Sequence, residues 1–137
     1  MSPLFKKLNL GLHTNIHVIN APASFEDELR ALDGVDIKRT VSGATRFALA
    51  FAITQAEVDT VAKRLVKAAD GDAILWMIYP KGTSRKYKCD FNRDTGWKVL
   101  EKAGFAPVRM VAIDADWSAL RFRKVEFIPQ MTRSAKR

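Results

Sequence analysis

The chain has 137 residues, 47% of them hydrophobic and 28% charged, with one cysteine and a formal net charge of +8. This is the length and composition of one soluble globular domain with a sizeable core, and it excludes a disordered tract. No run approaches the ~20 consecutive apolar residues of a membrane span, the first ten residues lack the apolar centre of a secretory signal, and one cysteine closes no internal disulfide, so a reducing, cytoplasmic setting is expected.

Residues 16–20 (IHVIN) read as a short buried strand, which Pro22 ends because it cannot donate to a ladder. Ser24 is placed to cap a helix over 25–32, with Phe25, Leu29 and Leu32 on one face and Asp33-Gly34 as the stop. Residues 35–41 alternate apolar and polar, the pattern of an edge strand that carries charge against mispairing. Residues 47–53 (FALAFAI) are apolar at every position, as in a parallel strand covered on both faces.

Thr54 and Glu57 make a capping box for a helix over 55–69, with Val58, Val61, Ala62, Leu65 and Val66 in one apolar stripe. Asp70-Gly71-Asp72 should end it. Residues 73–79 (AILWMIY) form a second central strand, closed by Pro80. Asn92 or Asp94 could cap a helix running to 102 or 103, where Gly104 supplies a left-handed cap. Residues 107–113 and 119–128 read as the last two strands, joined by a turn too short for parallel pairing. The alternation in 119–128 breaks, so a bulge is expected near Arg123-Lys124.

With no repeat or linker, this is one domain, 1–137, with 1–8 and 129–137 as flexible ends. The alternation of strands and helices predicts an α/β protein. It should be a three-layer, Rossmann-like open sheet of about six strands, mostly parallel, ending in an antiparallel hairpin.

The element order resembles a reduced S-adenosylmethionine methyltransferase fold. Residues 73–80 are similar to that fold's fifth strand and 117–122 to its returning antiparallel strand. Residues 9–28 (NLGLHTNIHVINAPASFEDE), 76–84 (WMIYPKGTS) and 114–123 (DADWSALRFR) more closely resemble a small bacterial domain family of unknown function, which lends no catalytic residues. The methyltransferase fold's glycine-rich turn after the first strand is here Asn20-Ala21-Pro22-Ala23-Ser24, without glycine. Glu26, Asp27 and Glu28 crowd the start of the next helix, where a phosphate would otherwise sit.

The net charge is concentrated. Residues 81–93 carry five cations against Asp90, and residues 121–137 carry six against Glu126, so these two segments hold +9 and the other 107 residues −1. The first segment follows a central strand, on the edge where open α/β sheets bind ligands. Lys81, Arg85, Lys86 and Arg121 are therefore the candidate anion-binding cations, with Gly82, Thr83 and Ser84 as added donors and Tyr87 as a stacking platform. The alternative for this loop is a solvated surface.

Arg123 and Lys124 should lie at the opposite edge. His13 and His17 lack further ligands, so no metal is expected. Cys89 has basic neighbours that could lower its pKa. Asp114 and Asp116 could act as bases or simply form a turn. No catalytic motif is present.

The expected function is a non-catalytic module without a cofactor that binds an anionic ligand, nucleic acid included, through the 81–88 loop. The alternatives are a degenerate or minimal S-adenosylmethionine-dependent enzyme and a protein-interaction domain pairing through strand 35–41. No membrane partner is expected, and the oligomeric state is open.

Overall fold

The computed structural model describes residues 3–91 and 96–129. Six strands form one sheet in the order β2-β1-β3-β4-β6-β5. They are β1 (Asn15–Ile19), β2 (Asp36–Lys38), β3 (Thr45–Phe51), β4 (Ala69–Pro80), β5 (Phe105–Ala112) and β6 (Trp117–Lys124). The pairings among β1, β2, β3 and β4 are parallel, and β6 lies antiparallel between β4 and β5. Helices α1 (Pro3–Lys7) and α2 (Glu26–Arg30) cover one face, and α3 (Gln55–Ala68) and α4 (Lys98–Lys102) cover the other. This is the three-layer, mostly parallel architecture that the sequence predicts. Among the described residues, no helix is long and apolar enough to cross a membrane.

The two apolar runs explain the layers. In β3, Phe47, Leu49 and Phe51 point to the α1–α2 side while Ala48 and Ala50 point to α3. Large side chains thus fill one layer and small ones let α3 approach closely. In β4, Trp76 and Ile78 face α1 and α2, while Leu75, Met77 and Tyr79 face α3 and α4. The Thr54–Glu57 capping box forms as expected: the Glu57 amide donates to Thr54 Oγ1 at 3.2 Å, and the Thr54 amide donates to Glu57 Oε1 at 3.0 Å.

Several expectations are corrected. Residues 3–8 are not a flexible end. Leu4, Phe5 and Leu8 share a helical side, Phe5 and Leu8 are fully buried, and the Trp76 indole donates to the Leu8 carbonyl at 2.8 Å. Ser24 caps nothing: Ala23–Phe25 form a 3-10 turn, closed by the Phe25 amide on the Pro22 carbonyl, and α2 starts after it. Asp70-Gly71-Asp72 do not end α3 in a loop but open β4, with Gly71 at φ +60°. The hairpin's irregularity falls in β5, between Pro107 and Arg109, and not at Arg123-Lys124. β6 simply stops at Lys124 and a 3-10 turn (Val125–Phe127) follows, so the broken alternation marks a strand end. Asn92, Asp94 and residues 130–137 lie outside the described residues.

β2 is an edge strand, but shorter than expected. Lys38 is level with His17, and His17 with Ala48. Residues 39–44 alone carry the chain back across β1 to start β3. Parallel strands usually need a crossover of roughly a dozen residues or more, and a three-residue β2 shortens the return enough for fewer. No helix lies in this crossover, and the sheet side it would cover is polar. Asp36 and Lys38 are exposed there, and His17 Nδ1 hydrogen-bonds Thr45 Oγ1 at 2.8 Å.

Candidate functional site

The carboxyl ends of β1, β3 and β4 share one edge with the β5–β6 turn, because Pro80 at the end of β4 pairs with Trp117 at the start of β6. Loop 81–91 rises from this edge and is tied down at several points. The Lys81 amide donates to the Asp116 carbonyl at 2.8 Å, and Ser84 Oγ donates to Asp116 Oδ1 at 2.9 Å. The same Ser84 Oγ accepts the amides of Lys86 and Tyr87.

Two rings extend this anchoring to both faces of the sheet. Tyr87 packs 4.8 Å from Trp117 on the α1–α2 side. Phe91 packs 5.9 Å from Tyr79 and 5.3 Å from Trp97 on the α3–α4 side. Asp90 Oδ1 accepts the Gln55 amide at 2.7 Å, fixing the loop to the start of α3. The return passes through Gly96 at φ +96°, where a Cβ would stand 2.9 Å from Gln55 Oε1 and 3.0 Å from the Phe91 ring, so only glycine fits. Loop 81–91 is thus a surface loop pinned at several points, with Thr83, Arg85, Lys86 and Lys88 exposed to solvent.

Under this loop lies a groove of about 460 Å³. Tyr79, Phe91 and Met110 form apolar walls, Ser84 and Ser118 supply hydroxyls, and Lys81 and Lys88 supply charge. Of the expected anion-binding residues, Lys81, Gly82 and Ser84 line this groove. Thr83, Arg85 and Lys86 are exposed and do not line it.

Arg121 is not part of the set. It pairs with Trp76, four residues down β6 from the edge, and its Nη1 donates to Asn9 Oδ1 at 3.4 Å. Tyr87 spends its ring on Trp117 and is half-buried, so it is no open stacking platform. Lys88, within the expected 81–88 loop, also lines the groove, and Met110 and Ser118 join it from the hairpin. Ser118 had a signal in Asp114-Ala115-Asp116-Trp117, which places it beside Tyr79 once β6 inserts.

Asp114 and Asp116 prove structural. Asp114 Oδ1 accepts the amides of Asp116 and Trp117, an Asx turn. Cys89 runs opposite to expectation: burial, the largest influence, pushes its thiol pKa up, helped by Asp90 and opposed by the Phe91 amide. Lys86 and Lys88 are exposed, and their charge is screened by water. Among the described residues, no cluster of potential metal ligands exists.

Fold and edge together define a class: a Rossmann-like, methyltransferase-like α/β domain with its returning strand inserted beside the last parallel one. No family model matches the sequence, and no curated protein is similar to it. Solved structures are similar in fold. A methyltransferase described as SAM-dependent, from Aquifex aeolicus, superposes with a TM-score of 0.59 at 13% identity, over 88% of this chain and 87% of the other. The N-methyltransferase NodS from Bradyrhizobium japonicum WM9 gives 0.57 at 13%, over 88% and 92%. Magnesium protoporphyrin IX methyltransferase from Synechocystis PCC 6803, solved with bound SAH, gives 0.56 at 11%, over 88% and 78%.

Such a fold implies an adenosyl cofactor at the turn after β1, and the residues here do not fit one. The hollow between that turn and β3 measures about 150 Å³, and a second one of about 350 Å³ lies between Asn20 and α3, lined by Ile19, Glu57, Thr60, Val61 and Arg64. Trp117 packs edge-on to Phe51 beside the first, at 5.3 Å. Glu57 Oε1, at its rim, is already taken by the amides of Ile53 and Thr54. Asn20 adopts the left-handed φ of +59° that a glycine would adopt more easily, so a side chain stands in the turn. Glu26 is held by Arg39 and Asp27 by Arg30, and α2 is only five residues long, which leaves little dipole at its start.

Proposed function

We propose that this chain is a methyltransferase-like protein that binds a small ligand in the groove beneath loop 81–91, and not at the turn after β1. The groove itself carries this reading. Its volume lies in the range of small-molecule sites, it opens on the carboxyl edge, and its apolar walls end in two lysines. A ligand with an apolar or aromatic body and an anionic end suits it.

The likeness in fold favours a second reading, an S-adenosylmethionine-dependent methyltransferase-like protein, over nucleic-acid binding, which loses Arg121 from its basic patch. On that second reading the adenosyl ligand enters either this groove or the hollow between Asn20 and α3, which measures about 350 Å³.

Calorimetric titration tests both readings, using S-adenosylmethionine, its demethylated product, adenine nucleotides and a short single-stranded oligonucleotide. The expected result is one-to-one binding of a small ligand, weakened about tenfold when Lys81 and Lys88 are both changed to Ala, a loss of one to two charge-assisted contacts. Equal affinity in the double variant, or binding of the oligonucleotide alone with a steep salt dependence, refutes the groove.

A further inference from the structure

Away from the groove, toward the amino edge of the sheet, three arginines share the α1–α2 side of the hairpin. Arg109 is the direct cross-strand partner of Arg121, and Arg123 follows two residues along β6. Directly opposed residues of an antiparallel pair have Cβ atoms roughly 4.5–5.5 Å apart, where like charges repel.

Arg123 is neutralised, donating through Nε and Nη2 to both oxygens of Asp72 at 2.9 and 2.7 Å. Arg109 and Arg121 form no ion pair among the described residues. Arg121 is half-buried, and its Nε is fully buried without a hydrogen-bond partner. Buried donors are seldom left unpaired, because each retains its full desolvation cost. Burial, then the charge of Arg123 and of Arg109, depress the Arg121 pKa, with Asp72 alone opposing them. The end of α1 borders the pair, since Leu8 is bonded to Trp76 and Asn9 to Arg121.

The geometry points to an oxyanion site centred on Arg109 and Arg121, with Asn9 at its border, whose ligand is a phosphoryl group, free or carried as a monoester. Two uncompensated guanidinium groups match a dianion, and a tetrahedral oxyanion can accept from the edge of a guanidinium with two oxygens. A carboxylate would leave one charge unbalanced. This site is separate from the groove and does not depend on it.

Thermal unfolding tests the assignment, in sodium phosphate and in phenyl phosphate, each against sodium chloride of equal ionic strength. At ten times its dissociation constant, phosphate should raise the Tm of the unaltered chain by about 5 °C. The rise should vanish in Arg109→Gln, an exposed position that leaves the core intact, and persist in Lys81→Ala. A larger rise with phenyl phosphate that is lost in Arg109→Gln and kept in Lys81→Ala identifies an ester as the source at this site, and an equal rise identifies the free ion. A phosphate effect no greater than that of chloride, or one that survives in Arg109→Gln, overturns the site.

Discussion

Changing Trp76 to Phe should cost about 2–4 kcal/mol of stability. The ring is wholly buried in β4, and its indole N–H donates to the Leu8 carbonyl at 2.8 Å. Phe has no donor, so that carbonyl is left unpaired in the interior at a cost of about 1–3 kcal/mol. The smaller ring also vacates roughly 40 Å³, which at about 24 cal/mol per Å³ adds about 1 kcal/mol. For a domain of this size the sum lowers Tm by about 8–16 °C. Urea unfolding followed by far-ultraviolet circular dichroism measures it without relying on tryptophan emission.

The same bond ties Trp76 to α1. Leu8 is held in place by α1, which docks through Phe5. In a Phe5→Ala background the same Trp76→Phe change should cost measurably less, a coupling of about 1 kcal/mol. A single-variant loss below about 0.5 kcal/mol, or an identical loss in both backgrounds, would show that the α1 contact is incidental.

Two further outcomes follow from the ionisable groups. Burial, and then the charge of Lys38, hold the His17 pKa below its ordinary value. The unfolded chain therefore binds the proton first, so stability is complete above about pH 6.5 and declines as pH falls from there toward the folded-state value. Urea midpoints measured between pH 7.5 and 5 should show this decline and lose part of it in His17→Gln. Cys89, with its pKa raised by burial, should react with iodoacetamide at pH 8 several-fold more slowly than free cysteine, and a rate equal to or above that of free cysteine would contradict the buried setting.

The sequence displayed the central layer plainly because burial on two faces leaves a continuous apolar signature, and FALAFAI and AILWMIY both became strands at the middle of the sheet. The Thr54–Glu57 box was equally legible, since its bonds lie within one turn. What escaped detection was set by distant contacts. Helix α1 is short and half of it is lysine and surface, so only its docking under Trp76 makes it a helix worth forming.

Arg121 lies away from the carboxyl edge for a geometric reason. Sequence can place Trp117 at the edge, but four residues of strand carry the next site about 13 Å down the sheet. The groove was half visible: the basic loop and its strand could be read, whereas the wall from Met110 and Ser118 depends on how the hairpin inserts.

The aromatic side chains at the carboxyl edge also make the protein its own optical reporter. Trp97 sits 5.5 Å from Tyr79 and 5.3 Å from Phe91, two walls of the groove, and Trp117 sits 4.8 Å from Tyr87, a third lining residue. Trp76 lies in the middle of β4, paired with Arg121 well inside the sheet. An occupant of the groove would perturb two of the three indoles through their immediate neighbours and leave the third as an internal reference. Site occupancy could then be followed by emission from the unlabelled chain, with Trp97→Phe and Trp117→Phe dividing the signal between the two faces of the sheet that the loop clasps.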